Sequence, residues 1–241
     1  MNHLRRLLAS NARRGSFRAE GDTLYIYDVI VASDADAEWL GGVSAETVVK
    51  QIRSSTGPLT LRINSPGGDV FAARAIQAAM EAYDGEIVAH VDGYAASAAS
   101  LIAVVADRCV MASGAFMMIH KAWTIGVGNA DDMLASAELL EKIDGTLAET
   151  YAAKTDGEAS TFADLMRAAT SFTAQEAMEA GLADEITTQA PKSQTAWDLS
   201  AYGTAPATET IVEPEPEPDT SGDQIAPCAR QHAMRMRLTT A

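Results

Sequence analysis

Ser97 closes the run GYAAS and opens AASLIAVVA, which places its hydroxyl at the amino end of a helix, among backbone N–H groups that no preceding turn satisfies. A serine in that position can attack a carbonyl if a neighbouring base takes its proton. Four histidines are available: His3, His90, His120 and His232. His3 and His232 fall in terminal arms and His90 in the middle of an apolar strand pattern. His120 ends the strand pattern AFMMIH, at the carboxyl edge where the turn before Ser97 also lies, within reach of proton transfer if the two strands are near neighbours. Gly67 and Gly68, in NSPGGDV, supply a backbone that a ligand can approach closely, and an N–H from Gly68 paired with that of Ala98 would make an oxyanion hole. Taken singly these signals are unspecific. A serine in an Ala/Ser-rich helix is more often packing, a strand-end histidine more often a satisfied core or surface group, and a Gly-Gly turn more often only a turn.

The elements that must position these residues follow a repeating order. YIYDVIV (25–31) reads as a strand and the segment after Ser44, with Val48, Val49 and Ile52, as a helix. LTLRI (59–63) is a second strand, NSPGG a turn, and Ala72, Ala75, Ile76, Ala79, Met80 and Tyr83 recur at helical spacing. EIVAHV (86–91) is a third strand, GYAAS a turn, and the small-residue helix after Ser97 extends to about Ala106, ahead of two short strands, CVMA and FMMIH. A long helix begins at the N-cap Asn129 and carries Met133, Leu134, Ala137, Leu140, Ile143, Leu147 and Tyr151 on one side. A last helix opens at Thr173, which forms a capping-box pattern with Glu176, and stops at Gly181.

The 241 residues are read as one folded domain, 19–188, between a basic arm, 1–18, and a Pro/Glu/Thr-rich tail, 189–241, whose EPEPEPD run buries too little apolar surface to order itself. A net charge of −15 argues against nucleic acid as a partner, because phosphate binding needs a concentrated basic face. Cys109 and Cys228 lie one in a strand and one in the tail, so no disulfide framework is expected and a reducing, cytoplasmic setting is the simpler reading. MNHLRRLLASNARRG lacks the apolar run of an export signal, and Asp107 and Arg108 stop the apolar stretch from Gly93 far short of a membrane span.

Together, INSPGGDVFAA, DGYAASAASLIA, FMMIHKAW and SFTAQEAMEAGLADEI resemble, in that order, the ClpP family of serine peptidases (family S14) from about Leu24 to Ile186, and the branch encoded by tailed phages and prophages for head maturation in particular. The resemblance implies an α/β fold, a ClpP/crotonase-like spiral of β-β-α units with flexible arms. It implies Ser97 as nucleophile, His120 as general base, Gly68 and Ala98 at the oxyanion, and no metal or other cofactor. It also implies a homo-oligomeric ring that stacks through the long helix after Asn129.

The family places an acid just before the last helix, where MRAATSFTAQEA has Ala169. The third triad member is therefore open: Asp164 or another acid reaches His120, a neutral group such as Thr170 orients it, or the chain keeps the assembly without the catalysis. Asp184, in GLADEI, matches a structural aspartate of the family and is not assigned to catalysis. The leading expectation is an endopeptidase that trims capsid or scaffold proteins. The alternatives are a proteolytic subunit working with a ring ATPase, a weak or inactive assembly protein, and an acyl-CoA enzyme of the same fold.

Overall fold

The computed structural model describes residues 3–11, 13–188 and 197–202. The order of elements is α1 (His3–Asn11), β1 (Ser16–Glu20), β2 (Thr23–Tyr27), β3 (Ile30–Val31), α2 (Asp34–Leu40), β4 (Val43–Ser44), α3 (Ala45–Ser54), β5 (Leu59–Ser65), α4 (Val70–Glu81), β6 (Ile87–Ala96), α5 (Ala98–Val104), β7 (Arg108–Ala112), β8 (Phe116–Ile119), α6 (Ala130–Thr155), α7 (Ala159–Arg167), β9 (Thr170–Thr173), α8 (Ala174–Glu179) and β10 (Glu185–Thr187). A short 3-10 turn, Ser200–Tyr202, follows. The expected α/β class holds.

The main sheet runs β1-β2-β5-β6-β7-β10, parallel from β2 onward, with β1 antiparallel at one edge. Strand β6 is long enough to serve two neighbours: Val88–Val91 pairs with β7, and Tyr94–Ala96 pairs in parallel with β8, which in turn holds β9 antiparallel. GYAA thus continues β6 rather than forming the expected turn, and only Ser97 leaves the strand. Consecutive backbone pairing with Phe116–Met118 keeps this stretch extended. The expected strand 25–31 is likewise two strands, β2 and β3, the second pairing with β4.

The core forms where apolar periodicity meets the sheet. Helix α3 buries Val48 and Ile52, α4 buries Ala72, Ala73, Ile76, Ala79 and Met80, and every residue of α5 is buried. Alanine and serine on α5 let it lie close against the strands, where larger side chains would not fit. Helix α6 divides in two: Leu147, Ala148, Tyr151 and Ala152 are buried, whereas Met133, Leu134 and Leu139 face outward. The Asn129 cap and the Thr173–Glu176 capping box form as expected. Helices α2 and α7 lie outside the sequence expectations.

Both terminal segments differ from expectation within the described residues. Part of the basic arm is helix α1, with Leu7 and Asn11 buried, and β1 begins at Ser16. Part of the tail, Trp197 to Tyr202, packs with Leu7 over Tyr94, Ala96 and Met118 in a second apolar cluster. Burial of the two aromatic rings and Leu199 outweighs the tail's general polarity locally. Residues 203–241, including EPEPEPD and Cys228, lie outside the described residues.

Candidate active site

Ser97 stands at the junction of β6 and α5 with φ 53° and ψ −123°, a conformation that a non-glycine residue adopts only when its surroundings impose it. Its N–H donates to the Met118 carbonyl at 2.8 Å, and its own carbonyl accepts from the Ser100 N–H at 2.9 Å and the Ser100 hydroxyl at 2.7 Å. The turn is further held by Gly67. A Cβ there would lie 2.6 Å from the Ala96 carbonyl oxygen and 2.9 Å from Ser97 Cβ, so the two backbones approach as closely as they do only because residue 67 has no side chain.

Gly68 bridges Ile30 in parallel: the Ile30 N–H donates to the Gly67 carbonyl and the Asp69 N–H to the Ile30 carbonyl, each at 2.9 Å. That pattern turns the Gly68 N–H away from Ile30. Ala98 is the first residue of α5, so its N–H has no acceptor one turn earlier. Gly68, Ser97, Ala98 and His120 line one cleft of about 370 Å³. Apolar side chains, among them Ile30, Val70, Leu140 and Ile143, form much of its remaining wall.

His120, expected as the last residue of its strand, follows β8 directly, one position beyond its end at Ile119, and its Nε2 lies 2.7 Å from Ser97 Oγ. The two residues that the sequence singled out are therefore in hydrogen-bond contact across adjacent strands. For the serine hydroxyl to donate, the imidazole must carry its proton on Nδ1. That Nδ1 is buried without a hydrogen-bond partner among the described residues. Burial lowers the His120 pKa to about 4, and the backbone of Lys121 acts weakly in the opposite sense. Near neutral pH the ring is an unprotonated base.

Ala169 stands where an orienting acid is expected. Strands β8 and β9 pair in antiparallel register as far as Ile119 and Thr170, so the next positions along the two chains are His120 and Ala169. Ala169 has φ 50°, in the left-handed region that asparagine and aspartate occupy more readily than alanine. The alternatives do not replace it. Asp164 ion-pairs with Arg167 on the exposed face of α7, and the Thr170 hydroxyl donates to the Leu165 carbonyl at 2.7 Å. Asp184 accepts from the Cys109 N–H and from Lys154, each at 2.7 Å, tying β7 to α6.

His90 lies within β6, half-buried, with its pKa lowered by burial. His3 caps no reaction partner but donates through Nδ1 to the Ala201 carbonyl at 2.6 Å. His232 lies outside the described residues. Cys109 is buried and unpaired, its thiol pushed up to about 12 by burial.

Three residues near the dyad escape sequence reasoning. Trp123 sits 4.4 Å from the His120 ring, between ring centroids, and Tyr202 sits 4.9 Å away. Asp144, on α6, accepts from the Ala122 N–H at 2.7 Å and pairs with Lys121 at 3.2 Å, fixing the strand exit that carries His120 and Trp123. For Tyr202 the available signal is AWDLSAY, an aromatic-rich stretch in a tail otherwise dominated by Thr, Ala, Pro and acidic residues.

No helix among the described residues is long and apolar enough to cross a membrane. The chain is 29% identical over 161 residues to ATP-dependent Clp protease proteolytic subunit 3 of Rhodococcus jostii, covering 66% of this chain and 79% of the relative. It is 32% identical over 133 residues to ATP-dependent Clp protease proteolytic subunit 1 of Protochlamydia amoebophila, covering 54% and 65%. A solved structure, a point mutant of ClpP1 from Listeria monocytogenes, superposes with a TM-score of 0.60 at 22% identity over 70% of this chain and 92% of the other, a likeness of fold. The family described as Clp protease matches residues 23–190, from β2 through β10 and across both dyad residues, and on that match the chain belongs to the Clp protease family.

Proposed function

We propose that the chain is a serine endopeptidase in which Ser97 is the nucleophile and His120 the general base, and that its turnover is slow. The observation that carries this reading is the 2.7 Å contact between Ser97 Oγ and His120 Nε2 at a strained strand-to-helix junction. Ser97 Oγ attacks the peptide carbonyl while Nε2 accepts its proton, and the N–H groups of Gly68 and Ala98 receive the developing oxyanion. The protonated imidazole then returns its proton to the departing amine, leaving an acyl-enzyme that water, deprotonated by the same nitrogen, hydrolyses. The imidazolium formed on the way is buried, and no carboxylate among the described residues hydrogen-bonds its Nδ1, which raises the barrier. In another triad enzyme, disabling the acid lowers turnover about 10⁴-fold. The apolar cleft wall favours substrates that present an apolar side chain beside the scissile bond.

The natural substrate in this reading is a capsid or scaffold protein processed during phage head maturation, and the assembly is a homo-oligomeric ring in the cytoplasm. The exposed Met133, Leu134 and Leu139 on α6 supply an apolar face for contacts between copies. A proteolytic subunit served by a ring ATPase is the second reading, supported by the likeness to the ATP-dependent Clp protease proteolytic subunits of Rhodococcus jostii and Protochlamydia amoebophila. A third, assembly without catalysis, draws on Ala169 and on the His120 Nδ1 that has no partner among the described residues.

Fluorophosphonate labelling with mass-spectrometric site mapping tests the reading. Labelling at Ser97 that is lost in both Ser97→Ala and His120→Ala is the expected result. A folded, assembled protein that takes no label at Ser97 would move assembly without catalysis to first place. Stimulation of peptide hydrolysis by a ring ATPase and ATP would favour the second reading over capsid processing.

A further inference from the structure

A neutral imidazole that lacks a partner on Nδ1 is held by a hydrogen bond from the serine side alone, and nothing on its far nitrogen opposes rotation about the Cβ–Cγ bond that would present the wrong nitrogen to the serine. In His120 that freedom is removed by other means. Its ring packs against Trp123 at 4.4 Å, tilted by 55°, and against Tyr202 at 4.9 Å, tilted by 60°, and these two rings lie 5.0 Å from each other, forming a three-ring cluster that buttresses the imidazole. Only 8% of the His120 surface remains exposed.

Both rings are anchored independently of the histidine. Trp123 follows the segment held by Asp144, and its ring meets that of His3 at 5.2 Å. Tyr202 is 5% exposed and donates its hydroxyl to the Pro66 carbonyl. The segment that delivers it is fastened along its length. Trp197 Nε1 donates to Asn64 Oδ1 at 3.0 Å, which also accepts from the Tyr94 N–H at 3.1 Å. Asn11 and Asp198 exchange two bonds: the Asp198 N–H donates to Asn11 Oδ1 at 2.7 Å, and Asn11 Nδ2 donates to the Asp198 carbonyl at 2.9 Å. His3 holds the Ala201 carbonyl.

We propose that Trp123 and Tyr202 are positioning residues that clamp the His120 imidazole against Ser97, replacing by ring packing the orientation that a carboxylate supplies in a complete triad. The proposal rests on the peptidase reading for its catalytic meaning. Residues 197–202 lie beyond 23–190, the part of the chain that matches the family, so Tyr202 comes from outside the matched part. Ring packing fixes orientation but adds no negative charge, so the clamp restores geometry without stabilising the imidazolium.

The test combines two readouts on the full chain. In the first, the rate of fluorophosphonate labelling at Ser97 and the kcat and KM for a small peptide ester are compared among the unaltered protein, Tyr202→Ala, Tyr202→Phe, Trp123→Ala and Trp123→Phe. Each alanine variant is expected to lower the labelling rate and kcat at least tenfold while KM moves less than threefold, and each phenylalanine variant to recover most of the loss. In the second, ¹⁵N resonances of the His120 ring report its tautomer. A single Nδ1–H form in the unaltered chain should become a mixture in the alanine variants.

Unchanged labelling and an unchanged tautomer in folded Tyr202→Ala and Trp123→Ala would overturn the clamp, and so would faster labelling, which would make the segment a cover over the site. Absence of labelling in the unaltered chain would count against the peptidase reading alone, and the ring resonances would still decide for or against the clamp. Should Tyr202→Ala fail to fold, Trp123→Ala and the phenylalanine pair decide from the other packed ring.

Discussion

The two halves of the dyad are held by different kinds of force. Around Ser97 the backbone does nearly everything: the junction of β6 and α5, the Met118 carbonyl, the side-chain-free Gly67 and the bridge from Ile30 to Gly68 fix the serine through main-chain geometry. Around His120 the main chain supplies only the end of β8, and side chains from α6, the exit loop and the 197–202 segment complete the enclosure. Main-chain restraint tolerates sequence change except where a Cβ cannot fit. Side-chain restraint depends on each ring and amide being present, so the histidine half is the more sensitive to substitution.

The sharpest way to break that contrast is at Gly67. Gly67→Ala forces a Cβ to within 2.6 Å of a carbonyl at φ +91°, so Ser97 labelling should fall at least about 100-fold and stability by about 3 kcal/mol, read by labelling kinetics and denaturant unfolding. Wild-type labelling in that variant would mean the serine half is not held by backbone contact.

The histidine half should reveal itself through pH. The pKa of His120 is about 4 when folded against an ordinary 6.5, so between those values the unfolded chain binds a proton that the folded chain refuses. Stability should therefore be highest above pH 6.5 and decline as pH falls towards 4, by about 3 kcal/mol from this group. Unfolding curves of the unaltered chain and of His120→Gln across that range isolate the contribution. Parallel curves would show that burial of this ring does not depress its basicity.

A smaller effect, opposite in sign, is expected at Ala169. Its backbone already occupies a conformation that aspartate favours, opposite His120, so Ala169→Asp should raise the labelling rate roughly tenfold and move the His120 pKa upward, shrinking the pH effect above. A variant that folds normally with neither change would show that a carboxylate at this position does not reach Nδ1. Smallest is Asn11→Ala, which removes both bonds to Asp198 and should cost about 1–2 kcal/mol while slowing labelling only through Tyr202. Differential proteolysis near residue 197 would register the loosened segment.

The legibility of this chain follows the same division. Helical spacing in α3 and α4, the Asn129 cap and the Thr173–Glu176 box are local patterns, and local patterns are readable. Ser97, His120, Gly68 and Ala98 were legible because their motifs occur in a fixed order, and the geometry brings them to one cleft. Three features escaped for physical reasons. The extension of β6 through GYAA depends on pairing with β8, a non-local contact that overrides the turn signal of small residues. Helix α7 is short and lacks a side-chain cap, so nothing at its start announces it. Trp123 and Tyr202 act on His120 from positions 3 and 82 residues away in sequence, and no spacing rule links residues that meet only through tertiary packing.

The Asn11–Asp198 clasp has a practical corollary for anyone cutting this chain down to residues 23–190, the part that matches the family. A fragment ending near the family boundaries would lose Leu7 on one side and Trp197, Leu199 and Tyr202 on the other, stripping the cover from Tyr94, Ala96 and Met118. The sheet would then present an apolar face to water beside an imidazole that has lost Tyr202, and such a fragment should self-associate more readily than the longer chain.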